Sequence, residues 1–312
     1  MKILILGAGA IGGYVGGRLQ QSGADITFLV RPARQKAIER DGLAIKSTKG
    51  DVTQKVKTVL KAEDGSIGGG PYDLVLLTPK AYDLDSAIAA VAPAVGPGTT
   101  IVPLLNGMRH LDVLDARFGK DKVVGGLARV GVAMSPDGVI HHTSPFAAIS
   151  FGEREAGKPP RKALVELDAA IKQSGIDGGL NPNIVQDLWD KWIMLCSLAS
   201  TNCLMRGSSG DILEADEGRA IVMETVDECR KVAAAAGHDP GEKGMQTIRS
   251  FLTVKGSKFT ASMLHDLEKG SMVEADHIVG DMIARAKKAA IPTPLLRVAY
   301  AHLQVYLHRR PK

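Results

Sequence analysis

Up to about residue 180, short apolar runs alternate with segments whose apolar residues recur every three or four positions. The first kind reads as buried strands and the second as amphipathic helices. A run at Ile3–Leu6 gives way to a helical segment, and a second strand follows over Asp25–Val30. Further strand candidates are Leu43–Ile45, Val56–Thr58, Asp73–Thr78, Thr100–Leu105, Val123–Ala133, Val139–His142 and Ala148–Phe151. Asp73–Thr78 is apolar at successive positions, as suits a central parallel strand covered on both faces. Helices are predicted at about Ala81–Val91 and from Lys158-Pro159-Pro160 to about Ser174. Beyond Asn181-Pro182-Asn183 the pattern becomes helix after helix, with later segments near Gly218–Ala236, Pro240–Val254, Ser271–Ala289 and Thr293–Arg309. Asn183 followed by Gln186 reads as a capping box opening the first of these.

The junction of the first strand and first helix carries the sequence Gly7-Ala8-Gly9-Ala10-Ile11-Gly12. A glycine at the tight turn, one where backbone must approach a pyrophosphate, and one where helix meets strand together form a dinucleotide-binding fingerprint. The helix that begins here directs its positive end at the phosphates. The predicted class is therefore α/β, with a Rossmann-type dinucleotide-binding domain over residues 1–180 and an all-helical C-terminal domain over 181–312. A site for NAD places a carboxylate at the end of the second strand. Here that strand ends Val30-Arg31-Pro32-Ala33-Arg34, and no acid appears before Glu39. Arg31 and Arg34 suit a 2′-phosphate, so the expected cofactor is NADPH.

At 312 residues the chain exceeds one typical core, and 45% hydrophobic content with a mean hydropathy of +0.02 describes a globular protein. The net charge of +5 is spread along the chain and aromatics make up 4%, which argues against a nucleic-acid-binding stripe. Cys196, Cys203 and Cys229 are odd in number and lack metal-ligand spacing, so they read as reduced thiols of a cytoplasmic protein. The eight histidines are scattered, and the adjacent pair His141-His142 reads as structural. Neither a secretory leader nor a membrane span is expected, because the apolar N-terminal stretch is broken by glycines and no run approaches 18 residues. The apolar late helices can pack within one chain or across the two-fold axis of a homodimer.

Ligands of open α/β sheets lie beyond the carboxyl ends of the strands. Lys80 follows the strand at Asp73–Thr78, and Asn106-Gly107 follows Thr100–Leu105. From Trp192 to Met205 there is no charge, yet Lys191 stands immediately before this core helix, sharing a face with Leu188, Leu195 and Leu198. An ammonium there either snorkels to water or lines a cleft as an acid or anion ligand. Glu274, flanked by Val273 and Ala275, could pair with it, with Glu268, Asp276 and Asp281 as rivals.

The chain resembles the ketopantoate reductase (2-dehydropantoate 2-reductase) family over nearly its full length. The resemblance is carried by GAGAIGG, LLTPKAYD, LLNGM, LWDKW and SMLHDLEKGSMVEAD in that order. It implies an N-terminal Rossmann domain, a helical C-terminal domain, an active site between them, and reduction of a 2-oxo-3-hydroxy acid by NADPH. It assigns the 2′-phosphate contact to Arg31, a cofactor-side lysine to Lys80, and a nicotinamide or substrate contact to Asn106. It also assigns the catalytic lysine to Lys191, the carboxylate that holds it to Glu274, and the substrate's polar tail to Ser262. Two departures stand out. Leu195 and Ala199 replace asparagines that, in the family, bind the substrate one and two helical turns after the lysine. Val279-Gly280 replaces a frequent Asn-Gly. Ser200, Thr201 and Asn202 follow, and a helix is expected to turn them to other faces. The leading expectation is reduction of 2-dehydropantoate to pantoate. A more apolar 2-oxoacid and a non-catalytic NADPH sensor are the alternatives.

Overall fold

A computed structural model describes residues 1–310, and two compact units divide the chain. The first comprises Met1–Leu105 and His110–Val185, the second Asn106–Arg109 and the chain from Gln186 onward.

In the first unit, β1 (Lys2–Leu6), α1 (Ala10–Gln21), β2 (Asp25–Leu29) and α2 (Pro32–Asp41) form the opening βαβα run. β3 (Leu43–Ser47), β4 (Val52–Gln54), β5 (Lys57–Val59), β6 (Leu74–Leu77), α3 (Leu84–Val91), β7 (Thr100–Pro103) and α4 (Arg109–Phe118) follow. β8 (Gly125–Met134), β9 (Ile140–Gly152), α5 (Lys162–Gln173) and β10 (Asp177–Leu180) complete it. One sheet has the order β5-β2-β1-β6-β7 with every pair parallel, which is the 3-2-1-4-5 part of the doubly wound order of dinucleotide-binding folds. The second has the order β10-β9-β3-β4, with β8 antiparallel to β9.

Four glycines let α1 lie close to both sheets. A Cβ at Gly12 would crowd Ile5 of β1 at 3.3 Å, and one at Gly16 would strike Ile5 and, at 2.5 Å, Phe28 of β2. A Cβ at Gly13 or Gly17 would strike Ile140 of β9 or, at 2.7 Å, Ile45 of β3. Two glycine pairs at i,i+4 spacing therefore give the helix two bare faces, one toward each sheet.

The two strands expected at Val139–His142 and Ala148–Phe151 are one, β9. Opposite it, the ladder of β8 steps from Val130↔Ala147 to Val132↔His142, so Gly131 alone faces Thr143–Phe146. Pro145, which has no N–H to give a ladder, sits in that bulge. His142 is buried against the Tyr14 ring and shares a hydrogen bond with Ser47 Oγ at 2.9 Å, a structural role.

Every regular element of the second unit among the described residues is helical. α6 (Ile184–Met205) leads into it, followed by α7 (Ser209–Glu214), α8 (Gly218–Ala235), α9 (Gly241–Leu252) and α10 (Ser262–Glu268). A π-turn at Asp276–Gly280, α11 (Asp281–Lys288) and α12 (Pro294–Arg309) close it. The single helix expected over Ser271–Ala289 is thus a loop, a π-turn and a shorter helix. Just before α6, Asn183 N–H donates to Asn181 Oδ1 at 2.8 Å, an Asx turn at the entry to the helix. No helix among the described residues is long and apolar enough to cross a membrane.

Candidate active site

β1 runs into a turn at Gly7, whose φ of +87° is a left-handed value that suits glycine. Its N–H donates to Leu29 O at 2.8 Å, which joins the turn to the end of β2. Gly9 is the N-cap of α1, with no side-chain cap, no acid in the first turn and no atom within 4 Å of where its Cβ would lie. Gly12 faces Gly7 O and Thr78 Oγ1, and the Thr78 hydroxyl donates to Leu6 O at 3.1 Å. Ala8, Ala10 and Ile11 complete the turn. The result is an open, uncapped helix start, a shape that accepts an anion.

Arg31 and Arg34 follow β2 and differ in posture. Arg31 is the exposed N-cap of α2. Arg34 is half-buried, and its Nε donates to Ala8 O at 3.0 Å, inside the glycine turn. Burial lowers the pKa of that guanidinium. Lys80, half-buried, is the N-cap of a short 3₁₀ turn just beyond β6.

In the second unit, Lys191 stands half-buried on α6, and its Nζ donates to Asn106 Oδ1 at 2.9 Å. The apolar helix expected here is present, with Leu188, Trp189, Trp192, Ile193 and Leu198 all 3% exposed or less. The two tryptophans of LWDKW pack at 5.1 Å between centroids, and the Arg285 guanidinium lies over both rings. Trp192 Nε1 donates to Ile278 O at 3.0 Å. That carbonyl belongs to the π-turn, whose closing bond runs from Asp281 N–H to Asp276 O.

Of the carboxylates that could have served Lys191, Asp276 accepts from Tyr300 Oη (2.6 Å) and Gln304 Nε2 (2.7 Å), and Asp281 from Arg285 Nε (3.1 Å). Glu268 is exposed, whereas Glu274 is buried just before the π-turn. Ser262 is exposed at the first position of α10. Leu195 is half-buried one turn beyond Lys191, and Ala199 is fully buried.

Asn202 and His277 stand otherwise than the sequence suggested. Asn202 lies eleven positions after Lys191, which at 100° per residue returns it to within about 20° of the same face. It is not turned away, as its neighbours are. It is fully buried, and its Oδ1 accepts from the N–H of Ala261, the residue before Ser262, at 2.8 Å. His277 is also buried. Its ring bonds the backbone of Asn106, and its own carbonyl and Cδ2 stand 3.0 and 3.1 Å from where a Gly107 Cβ would lie. Among scattered histidines it carried no signal, apart from lying between Ala275 and Ile278 on an apolar face.

Residues 3–156 match the family described as Ketopantoate reductase PanE/ApbA, and residues 183–307 match Ketopantoate reductase PanE/ApbA C terminal. An uncharacterized oxidoreductase of Bacillus subtilis, YkpB, is 35% identical over 98% of this chain and 99% of its own length. The chain belongs to the ketopantoate reductase family. Within that family, the 2-dehydropantoate 2-reductase of Pyrococcus horikoshii is 29% identical over 95% of this chain and 94% of its own. The crystal structure of 2-dehydropantoate 2-reductase from Geobacter metallireducens superposes with a TM-score of 0.86 at 28% identity, covering 98% of this chain and 99% of that one. As a ketopantoate reductase family member, the chain is an oxidoreductase acting on a CH–OH/C=O group.

Proposed function

We propose that this chain reduces a 2-oxoacid to the 2-hydroxyacid with NADPH, and that 2-dehydropantoate is its leading substrate. The observation that carries the reading is the Lys191 ammonium, half-buried on an apolar helix and held by Asn106 Oδ1 at 2.9 Å. The glycine turn fits the cofactor. The open space at Gly9 would be filled by any side chain, and the uncapped start of α1 suits a pyrophosphate held by Gly7, Ala8, Gly9, Ala10, Ile11 and Gly12. Exposed Arg31 offers a planar, permanently charged fork to a 2′-phosphate, which favours NADPH over NADH. Lys80 adds a cation beyond β6. When bound, NADPH supplies the hydride.

The remaining work falls to side chains. Negative charge develops on the carbonyl oxygen as it is reduced. Lys191 donates a hydrogen bond to that oxygen and then its proton. Of the three ammonium hydrogens, Asn106 takes one and so sets the direction of the others. Glu274, buried next to the π-turn, holds the lysine head in place. Ser262 binds the polar tail of the substrate. The three cysteines are free and buried, which supports a cytoplasmic setting.

A second reading, a more apolar 2-oxoacid, is favoured by Leu195 and Ala199. Both stand on α6 where polar hooks were expected, and a pocket that lacks two such partners binds a polar substrate more weakly by a few kcal/mol. A sensor without catalysis would need neither Lys191 nor its partner. The test is NADPH oxidation across a panel of 2-oxoacids by the native chain and by Lys191→Ala. The variant should lose about 10² to 10⁴ in turnover with NADPH affinity within about twofold. Equal turnover by both would refute the role of Lys191, and tight NADPH binding without turnover on any 2-oxoacid would leave the sensor standing.

A further inference from the structure

We propose that His277 is a positioning residue for the proton donor, acting on Lys191 through Asn106. The inference rests on the reading of Lys191 as the acid. Asn106 precedes Gly107, whose φ of +75° is a left-handed value that glycine takes without strain, and a neighbouring residue braces this stretch. The holder is His277. Its ring donates to the Asn106 backbone, and its own carbonyl and Cδ2 fill the space where a side chain at 107 would lie. Asn106 then presents Oδ1 to Lys191 Nζ at 2.9 Å.

His277 is in turn placed by the π-turn. One residue beyond it, the Ile278 carbonyl accepts from Trp192 Nε1 at 3.0 Å, and Trp192 is the neighbour of Lys191 on α6. The contacts therefore close a circuit. It runs from the Lys191 head to the Asn106 side chain, through the Asn106 backbone to the His277 ring, and by way of Ile278 and Trp192 back to the backbone of Lys191. Single-turn π-bulges recur at functional sites because the extra residue re-aims side chains and frees a carbonyl. Here the turn aims His277 and leaves the Ile278 carbonyl for Trp192. A donor whose direction is fixed by such a shell loses effectiveness when the shell loosens, although nothing that touches substrate has changed.

His277→Leu removes the ring donor at similar volume, and His277→Gln keeps an N–H that can reach the same carbonyl. We expect His277→Leu to lower kcat by about 10- to 100-fold, with NADPH affinity unchanged in a fluorescence titration. His277→Gln should stay within about threefold of the native kcat. The ¹⁵Nζ signal of Lys191 in the unliganded protein should broaden in His277→Leu and not in His277→Gln. If His277→Leu does not fold, His277→Met, flexible and without a donor, takes its place. Native kcat in the donor-free variant, or equal loss in the donor-free and glutamine variants, would overturn the assignment. Failure of the underlying reading looks different, because Lys191→Ala would then turn over like the native chain.

Discussion

Arg31 and Arg34 stand three residues apart and do different work. Arg31 is exposed and can follow a phosphate, whereas Arg34 is turned inward onto Ala8 O at 3.0 Å. In a trans peptide the carbonyl of one residue and the N–H of the next point in opposite directions. Holding the Ala8 carbonyl therefore fixes the outward aim of the Gly9 N–H, which serves a pyrophosphate common to NADPH and NADH. Arg31→Ala should weaken NADPH by about 10- to 100-fold, the worth of a charge-assisted pair, and leave NADH affinity unchanged. Arg34→Ala should weaken both cofactors alike, and titration of each variant with each cofactor reads the contrast directly. His277 sets a second residue-scale expectation. Burial, then repulsion from Arg109, with Arg285 adding to it, pushes its imidazole down to about 4, even though its bond to the Asn106 backbone pulls the other way. A histidine in the unfolded chain titrates near 6.5, so protonation favours unfolding in the window between the two values. Its contribution is complete above pH 6.5 and falls away by pH 4, a loss of about 3 kcal/mol. Urea unfolding of the native chain and of His277→Gln should therefore show the steeper acid dependence in the native chain across that window, and parallel curves would count against it.

Among the elements, α12 shows how a helix start is secured from a distance. The Glu228 carboxylate on α8 is buried and accepts from Leu295 N–H at 2.9 Å and Leu296 N–H at 3.1 Å. Glu228→Ala leaves one buried and one half-buried donor at a helix N-terminus without their carboxylate partner, and should destabilise the second unit by about 1–3 kcal/mol in chemical denaturation. Elements with a strong local period were legible in the sequence: β1, β2 and β6 stand within a residue or two of expectation and α1 follows the glycine turn, because a buried parallel strand and a glycine-marked turn leave plain patterns. β10 was not, since Asp177-Gly178-Gly179-Leu180 has no strand-like side chains and owes its pairing to β9. The π-turn was not legible either, because an extra backbone residue changes no composition, and with it went the placement of His277. The same distinction holds at the site. Lys191 and Asn106 could each be singled out by position, but their meeting at 2.9 Å depends on Asn106–Arg109 belonging to the second unit, a long-range fact that no local pattern carries. Asn202 was misjudged for want of one more count around the helix.

For the whole molecule, the proposed labour is divided by unit. The residues that would hold the phosphate and ribose end of the cofactor, Gly7 through Gly12 with Arg31 and Lys80, belong to the first, and Asn106, which would touch the nicotinamide or the substrate, stands with Lys191, Ser262, Glu274 and His277 in the second. Binding and chemistry should then separate cleanly by mutation. A ligand present at about a hundredfold excess over its Kd stabilises the state that binds it by about 2.7 kcal/mol, and it moves only transitions of the part it binds. NADPH should therefore raise the unfolding midpoint of the native chain and of Lys191→Ala by the same amount, while the variant oxidises it about 10² to 10⁴ times more slowly in the presence of a 2-oxoacid. Arg31→Ala should show the converse, with a midpoint that responds less to NADPH and a turnover that recovers as the cofactor concentration is raised. Scanning calorimetry with and without NADPH, set beside the rate of NADPH oxidation for the same three proteins, makes the comparison. A Lys191→Ala chain whose midpoint no longer responded to NADPH would tie that lysine to cofactor binding instead of proton transfer, and would remove the division on which the catalytic reading depends.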